Sequence, residues 1–194
     1  MIRALIGNGG HAREVMAQIG EILPRFVDDK YYTQVDPLVL PLSKFSPDDF
    51  EVMIAVGESN SRSEIASRLP PNTKYFSYIH RTSQIMGGCK LGNGYFIGAN
   101  CILTCDIEIG DHLIMNRGNH IGHDCKIGNF LSLMPGAIIS GNVNIGDRVY
   151  IGTNSSVREK IEICDDVVIG LNTGIIKNII SSGIYAGNPI KKIS

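Results

Sequence analysis

The stretch IGHDCKIGNF, residues 121–130, sets His123 beside Asp124 between two isoleucine–glycine pairs. An imidazole ordinarily titrates near about 6.5, so at neutral pH it can accept a proton from a reacting group. A carboxylate beside it can fix the tautomer and stabilise the imidazolium that forms. In extended chain, neighbouring side chains point to opposite faces. The two can therefore act together only where the backbone turns a corner. The plainer reading is a solvated pair on a surface turn, and the surrounding elements must decide.

A second stretch with chemical content opens the chain. Gly7-Asn8-Gly9-Gly10-His11-Ala12 fits G-x-G-x-x-[GA] between the apolar run IRALIG and the helical pattern REVMAQIGEIL, with Val15, Ile19 and Ile22 on one face. Glycines let backbone approach a phosphate, and a helix N-terminus offers free N–H donors. Asp28 and Asp29 follow about 20 residues on, where a carboxylate can take a ribose hydroxyl. The alternatives are a tight turn without ligand, His11 as a helix cap, and two plain turn acids. RFVDD and FEVMIAVG read as further strands and SRSEIASRL as a second helix, so a small parallel sheet is expected. About 75 residues supply only one mononucleotide-binding half of a dinucleotide fold. That points to a single nucleotide, such as that of a nucleotide sugar.

From residue 85 the texture changes. Ile85, Leu91, Ile97, Leu103, Ile109, Met115, Ile121, Ile127, Leu133, Ile139, Ile145, Ile151, Val157, Ile163, Ile169 and Ile175 fall every six residues, and all are aliphatic or Met. Glycine follows eight of them, at 92, 98, 110, 122, 128, 146, 152 and 170, and is expected to relieve crowding at corners. Residues two before them, including Cys101, Ile107, Cys125, Ala137 and Val143, are small or apolar and should also point inward. A period of six suits a solenoid of short strands, three to a triangular coil of about 18 residues and roughly five coils in all. Gly141, 18 residues after His123, should then stack above it. A glycine there leaves open space beside the imidazole and a backbone N–H able to stabilise an oxyanion.

The [LIV]-G-x-x-x-x run resembles the left-handed parallel β-helix of hexapeptide acyltransferases. With GNGGHAREV, the acids after strand two, HDCKIG and the terminal AGNPIKKI, nearly the whole chain is similar to one branch of that family. That branch holds bacterial nucleotide-4-amino-sugar N-acetyltransferases and sialic-acid O-acetyltransferases. The resemblance implies a Rossmann-like nucleotide-sugar domain at 1–80 and a β-helical acetyltransferase domain at 81–194. It implies acetyl-coenzyme A as co-substrate, a homotrimer with active sites between subunits, and a UDP- or dTDP-linked 4-amino-4,6-dideoxyhexose as acceptor, its product feeding surface-glycan or glycoprotein assembly. His123 would be the general base and Asp124 its partner. Asn116, Gly7, Asn8, Gly9, Gly10, His11, Asp28, Asp29, Gly57 and Arg62 would bind the substrate. Ser132, Gly141, Gly170, Asn188 and Pro189 would bind the coenzyme. Two departures stand out: Ser132 holds the place of the family's second histidine, and Arg81 follows His80 where the family often has proline.

Other classes are weighed against this. The net charge of −1 and the lack of a basic block argue against nucleic acid. No apolar run reaches the length of a membrane span, and the first residues lack a signal-peptide pattern. Five cysteines without CxxC spacing suggest reduced thiols and a cytoplasmic protein. A zinc enzyme on this fold needs three converging histidines. His80, His112, His120 and His123 do not have stacking separations, so no metal is expected, and His112 and His120 are expected on exposed turns or a subunit interface. An O-acetyltransferase remains the alternative, since a histidine base serves a hydroxyl equally well, and a non-catalytic trimeric scaffold is the third reading.

Overall fold

The computed structural model describes residues 1–194. The first part is a parallel sheet with strand order β3-β2-β1-β4-β5. Its strands are β1 (Ile2–Ile6), β2 (Arg25–Val27), β3 (Val39–Pro41), β4 (Phe50–Ile54) and β5 (Lys74–Tyr75). Helix α1 (Gly10–Ile19) follows β1 and α2 (Ser59–Arg68) follows β4. Ala4, Leu5, Ile6, Val52, Met53 and Ile54 are buried on both faces of the two central strands, as expected of a sheet covered on both sides.

Two strands escaped the sequence reading, β3 and β5, because they are only three and two residues long. Helix α1 also stops short of the expected Ile22. Gly20 takes φ 79° and caps it by donating to the Met16 carbonyl, and Ile22 is left exposed.

From Tyr78 the chain winds as a left-handed parallel β-helix. The period of six becomes three flat faces, each a stack of two-residue strands. The first face carries Ile79, Ile97, Met115, Leu133, Ile151 and Ile169, and the second Ile85, Leu103, Ile121, Ile139, Val157 and Ile175. The third carries Leu91, Ile109, Ile127, Ile145 and Ile163. Partners are 18 residues apart, as Ile121↔Ile139 shows, until the last coil, where Val167 pairs with Gly183. The periodic residues from Ile97 to Ile175 are all buried, in one continuous core. Shortening one, such as Ile139 to Ala, should cost about 2–5 kcal/mol.

The left-handed conformation recurs every six residues, three after each periodic aliphatic: Asn100, Asp106, His112, Asp124, Phe130, Asn142, Arg148, Asn154, Lys160, Asp166 and Asn172, all with φ between 52° and 60°. Glycines after the aliphatics relieve crowding against the next coil, as the sequence suggests. A Cβ on Gly122 would lie 2.6 Å from the Gly141 nitrogen in the next coil, so these positions need glycine for close stacking.

At the corner leading out of the third face, the stacking is reinforced by a side-chain ladder. The backbone N–H of Asn93, Asp111, Asn129 and Asp147 each donates to the Oδ1 18 residues on, at 2.6, 2.8, 2.7 and 2.9 Å.

Candidate active site

Asp124 occupies one of the left-handed corners, between the second and third faces, with φ 58°. That turn brings two sequence neighbours to the same side. His123 Nδ1 lies 2.7 Å from Asp124 Oδ2, and both side chains are 55% exposed. The carboxylate accepts from Nδ1–H, which leaves Nε2 without a protein partner, its lone pair free.

Gly141 stacks over this ring. A Cβ on it would come within 2.7 Å of His123 Cε1 and Nε2. The Gly141 N–H donates to no protein acceptor, and neither does that of His123 or Cys105. In the corner one face further on, the corresponding donors are taken by the Asn/Asp ladder. The His123 corner thus offers a base, an open lane and free amide donors together. Cys105 is the residue one coil before His123, exposed, its carbonyl accepting from Asp124 N–H at 3.1 Å.

The glycine loop forms part of a separate cleft of about 490 Å³, lined by Gly7, Asn8, Gly9, Asp28, Lys30 and Arg68 among others. Gly7 is demanded by the fold, since it has φ 119° and a Cβ would meet the Ala55 carbonyl oxygen at 2.9 Å. A Cβ on Gly9 would meet nothing within 4 Å, so packing leaves that space free. Helix α1 has no side-chain cap and no acid in its first turn, so its N-terminal field is uncancelled there. Asp28 Oδ2 accepts from Arg68 at 2.8 Å, which holds its carboxyl below the usual range.

Several expected ligand residues sit elsewhere. Arg62 is 1% exposed, its guanidinium enclosed by the carbonyls of Val56, Gly57, His112, Phe130 and Leu131. Ser132 is fully buried, donating to the Gly57 carbonyl and accepting from Ser59 Oγ at 3.0 Å. Both belong to the seam where the first sheet's domain rests on the β-helix, and neither can touch a ligand there. Gly57 is engaged in the same seam. Asp29 turns from the cleft to accept from Ser43 Oγ at 2.8 Å. His11 stands edge-on to Phe96 at 5.4 Å, and neither it nor Gly10 lines the cleft.

Asn116 is buried, with its Oδ1 accepting from Arg117 N–H, and lies at the corner between the first and second faces. The His120–Ile121 strand separates it from His123, so one chain does not bring the two together. Gly170 lies at the same kind of corner as Asn116, packed against Ala186, and Asn188 and Pro189 sit in the closing hairpin. His112, expected on an exposed turn or a subunit interface, is buried between Tyr75, edge-on at 4.5 Å, and Phe130, stacked at 4.9 Å. No three His, Cys, Asp or Glu side chains converge as a metal set.

The seam covers the outer side of the first face, where Phe96, Ile114 and Ser132 point outward yet are buried. His123 is at the corner opposite that face. The outward positions of this face, Tyr78, Phe96, Ile114, Ser132, Tyr150 and Val168, are mostly apolar, whereas the third face carries Lys90, Glu108, Lys126, Asn144 and Glu162; the inward period of six does not show this contrast.

Comparison with known proteins agrees with this architecture. Residues 4–69 match the PglD N-terminal domain. The chain is 28% identical to the acetyltransferase domain of PglB from Neisseria gonorrhoeae FA1090, solved with acetyl coenzyme A, over 98% of each chain with a TM-score of 0.84. WeeI from Acinetobacter baumannii AYE shares the fold over 100% of both chains at 24% identity, TM-score 0.88. So does perosamine N-acetyltransferase from Caulobacter crescentus, in complex with CoA and GDP-perosamine, at 22% identity over 100% of this chain and 97% of that one, TM-score 0.85. Residues 4–69 thus resemble the PglD N-terminal domain, and the whole chain shares the fold of the PglB acetyltransferase domain, a small parallel-sheet domain joined to a left-handed hexapeptide β-helix.

Proposed function

We propose that the protein is an acetyl-coenzyme A-dependent N-acetyltransferase acting on the amino group of a nucleotide-linked 4-amino-4,6-dideoxyhexose, with residues 1–80 holding the nucleotide and residues 81–194 carrying the transfer. The observation that carries this is the exposed His123–Asp124 pair with the unpaired Gly141 N–H beside it. The sugar amine attacks the thioester carbonyl carbon. His123 Nε2 takes the proton the nitrogen loses, and Asp124 stabilises the imidazolium. The Gly141 N–H receives the charge that develops on the carbonyl oxygen. Collapse expels the coenzyme thiolate, which takes the proton from His123. Asn116, Gly170, Asn188 and Pro189 are assigned to substrate and coenzyme only through the family resemblance.

Placement of the parts favours a homotrimer. The nucleotide cleft belongs to a domain seated on the first face, whereas His123 is at the opposite corner. A neighbour's cleft brought against this corner completes a site. No helix is long and apolar enough to cross a membrane, and we place the enzyme in the cytoplasm, serving surface-polysaccharide or glycoprotein assembly. The test is thiol release from acetyl-coenzyme A with UDP-, dTDP- and GDP-linked amino sugars. His123→Ala should lower kcat by about 10²–10⁴-fold while nucleotide binding survives. Unchanged turnover would remove His123 from the mechanism.

A further inference from the structure

Arg62 is a full guanidinium in a seam that holds no carboxylate bonded to it. Its five acceptors are all backbone carbonyls, split between the two parts of the chain. Val56 and Gly57, at 2.8 and 3.3 Å, lie in the loop between β4 and α2. His112, Phe130 and Leu131, at 3.0, 2.8 and 3.1 Å, lie on two successive coils of the β-helix. His112 and Phe130 are left-handed corners without the Asn or Asp that such corners favour, with φ 58° and 60°. Arg62 thus binds the carbonyls of two such corners, stacked on successive coils.

The same helix places Ser59 against Ser132 Oγ and the Val149 carbonyl, each at 3.0 Å. At the far end of the seam, Gln18 Oε1 of α1 accepts from the Ala99 N–H at 2.9 Å and Glu14 pairs with Arg117. The loop that Arg62 grips also adjoins the cleft, since Val56 and Ser61 line it.

We infer that Arg62 is a positioning residue: its clamp on both parts of the chain fixes where the nucleotide cleft sits relative to the catalytic corner, without touching substrate. This rests on the proposed function for its kinetic part. Lysine could not replace it, because one ammonium offers three donors from a point and cannot span carbonyls of three segments.

Arg62→Met and Arg62→Lys test this in the full-length protein. UDP and GDP affinity, read by calorimetry, should stay within about threefold of the parent, since the cleft is built inside one domain. The KM for acetyl-coenzyme A should also hold. Transfer to the nucleotide-linked amino sugar should fall at least about tenfold in kcat in both variants. Amide exchange at Ala99 should quicken while exchange at Ile121 and Ile139 stays slow, because the seam loosens and the β-helix does not. Parental kcat, or unchanged exchange at Ala99, overturns the inference. So does a parallel loss of nucleotide affinity, coenzyme affinity and turnover, which marks general unfolding. A parent protein inactive with every acceptor refutes the proposed function, yet leaves Ala99 exchange and nucleotide affinity to decide the clamp. Should Met prove insoluble, the Lys variant carries the same readouts.

Discussion

The proposed base and its partner are consecutive residues, and their cooperation depends on one backbone angle. Asp124 in the left-handed region turns its carboxylate onto the same side as His123. Asp124→Asn should keep the fold, since Asn tolerates that angle, but the amide can hold the wrong tautomer. We expect kcat to fall severalfold to a hundredfold, with KM values little changed, in steady-state assays. Gly141→Val should be more selective. Its Cβ would collide with the His123 ring, so acetyl-coenzyme A affinity should fall at least about tenfold by calorimetry while the nucleotide still binds. Normal coenzyme affinity in that variant would contradict the stacking argument. The His123 corner was legible in the sequence because a strict period converts spacing into adjacency: 18 residues on is the next coil. Arg62 and Ser132 were misread because the contact between α2 and the β-helix joins segments about 50 to 75 residues apart, which neither local pattern specifies.

Among the elements, the seam carries two histidines that ionise with difficulty. His11 and His112 are each held down to about 4, mainly by burial, with Arg62 lowering both further. Glu14 faces His11 and Asp111 faces His112, and both raise the value without cancelling burial. Each ring also has a buried nitrogen with no partner, Nε2 of His11 and Nδ1 of His112. The unfolded chain binds these protons near 6.5 and the folded chain only near 4, so folding is favoured above that window. Stability should decline as pH falls from about 6.5 to about 4, by at most roughly 3 kcal/mol for each histidine. Denaturant melts of the parent and of His112→Phe across that range check this. The variant should show a shallower decline, and an identical slope would exclude His112 from the effect. Strand existence in the β-helix was readable from its period, whereas β3 and β5 were not, being too short to show alternation. The end of α1 turned on a single glycine, Gly20, which the apolar spacing of Ile22 had masked.

For the whole molecule, the separation of cleft and base has a consequence that neither shows alone. The first domain covers one face of the triangular helix and His123 stands at the opposite corner. If a neighbour's cleft serves this corner, a chain lacking the base and a chain lacking the cleft can complement each other. His123→Ala mixed and reassembled with Gly9→Trp, each near silent alone, should regain up to about a quarter to a third of the parental rate. No recovery in verified mixed oligomers would place each site within one chain. The broad architecture was open to reading because composition and period change together near residue 80. The assembly was not, because an exposed apolar residue such as Ile138 does not by itself show whether it meets solvent or a second copy.

The central claim is chemical, and thiol release from acetyl-coenzyme A measures it directly. The purified protein would be presented with UDP-, dTDP- and GDP-linked 4-amino-4,6-dideoxyhexoses, and with free sialic acid beside them. The account predicts release with a nucleotide-linked amino sugar and its loss in His123→Ala. Release with sialic acid alone, or release undiminished by His123→Ala, would contradict it.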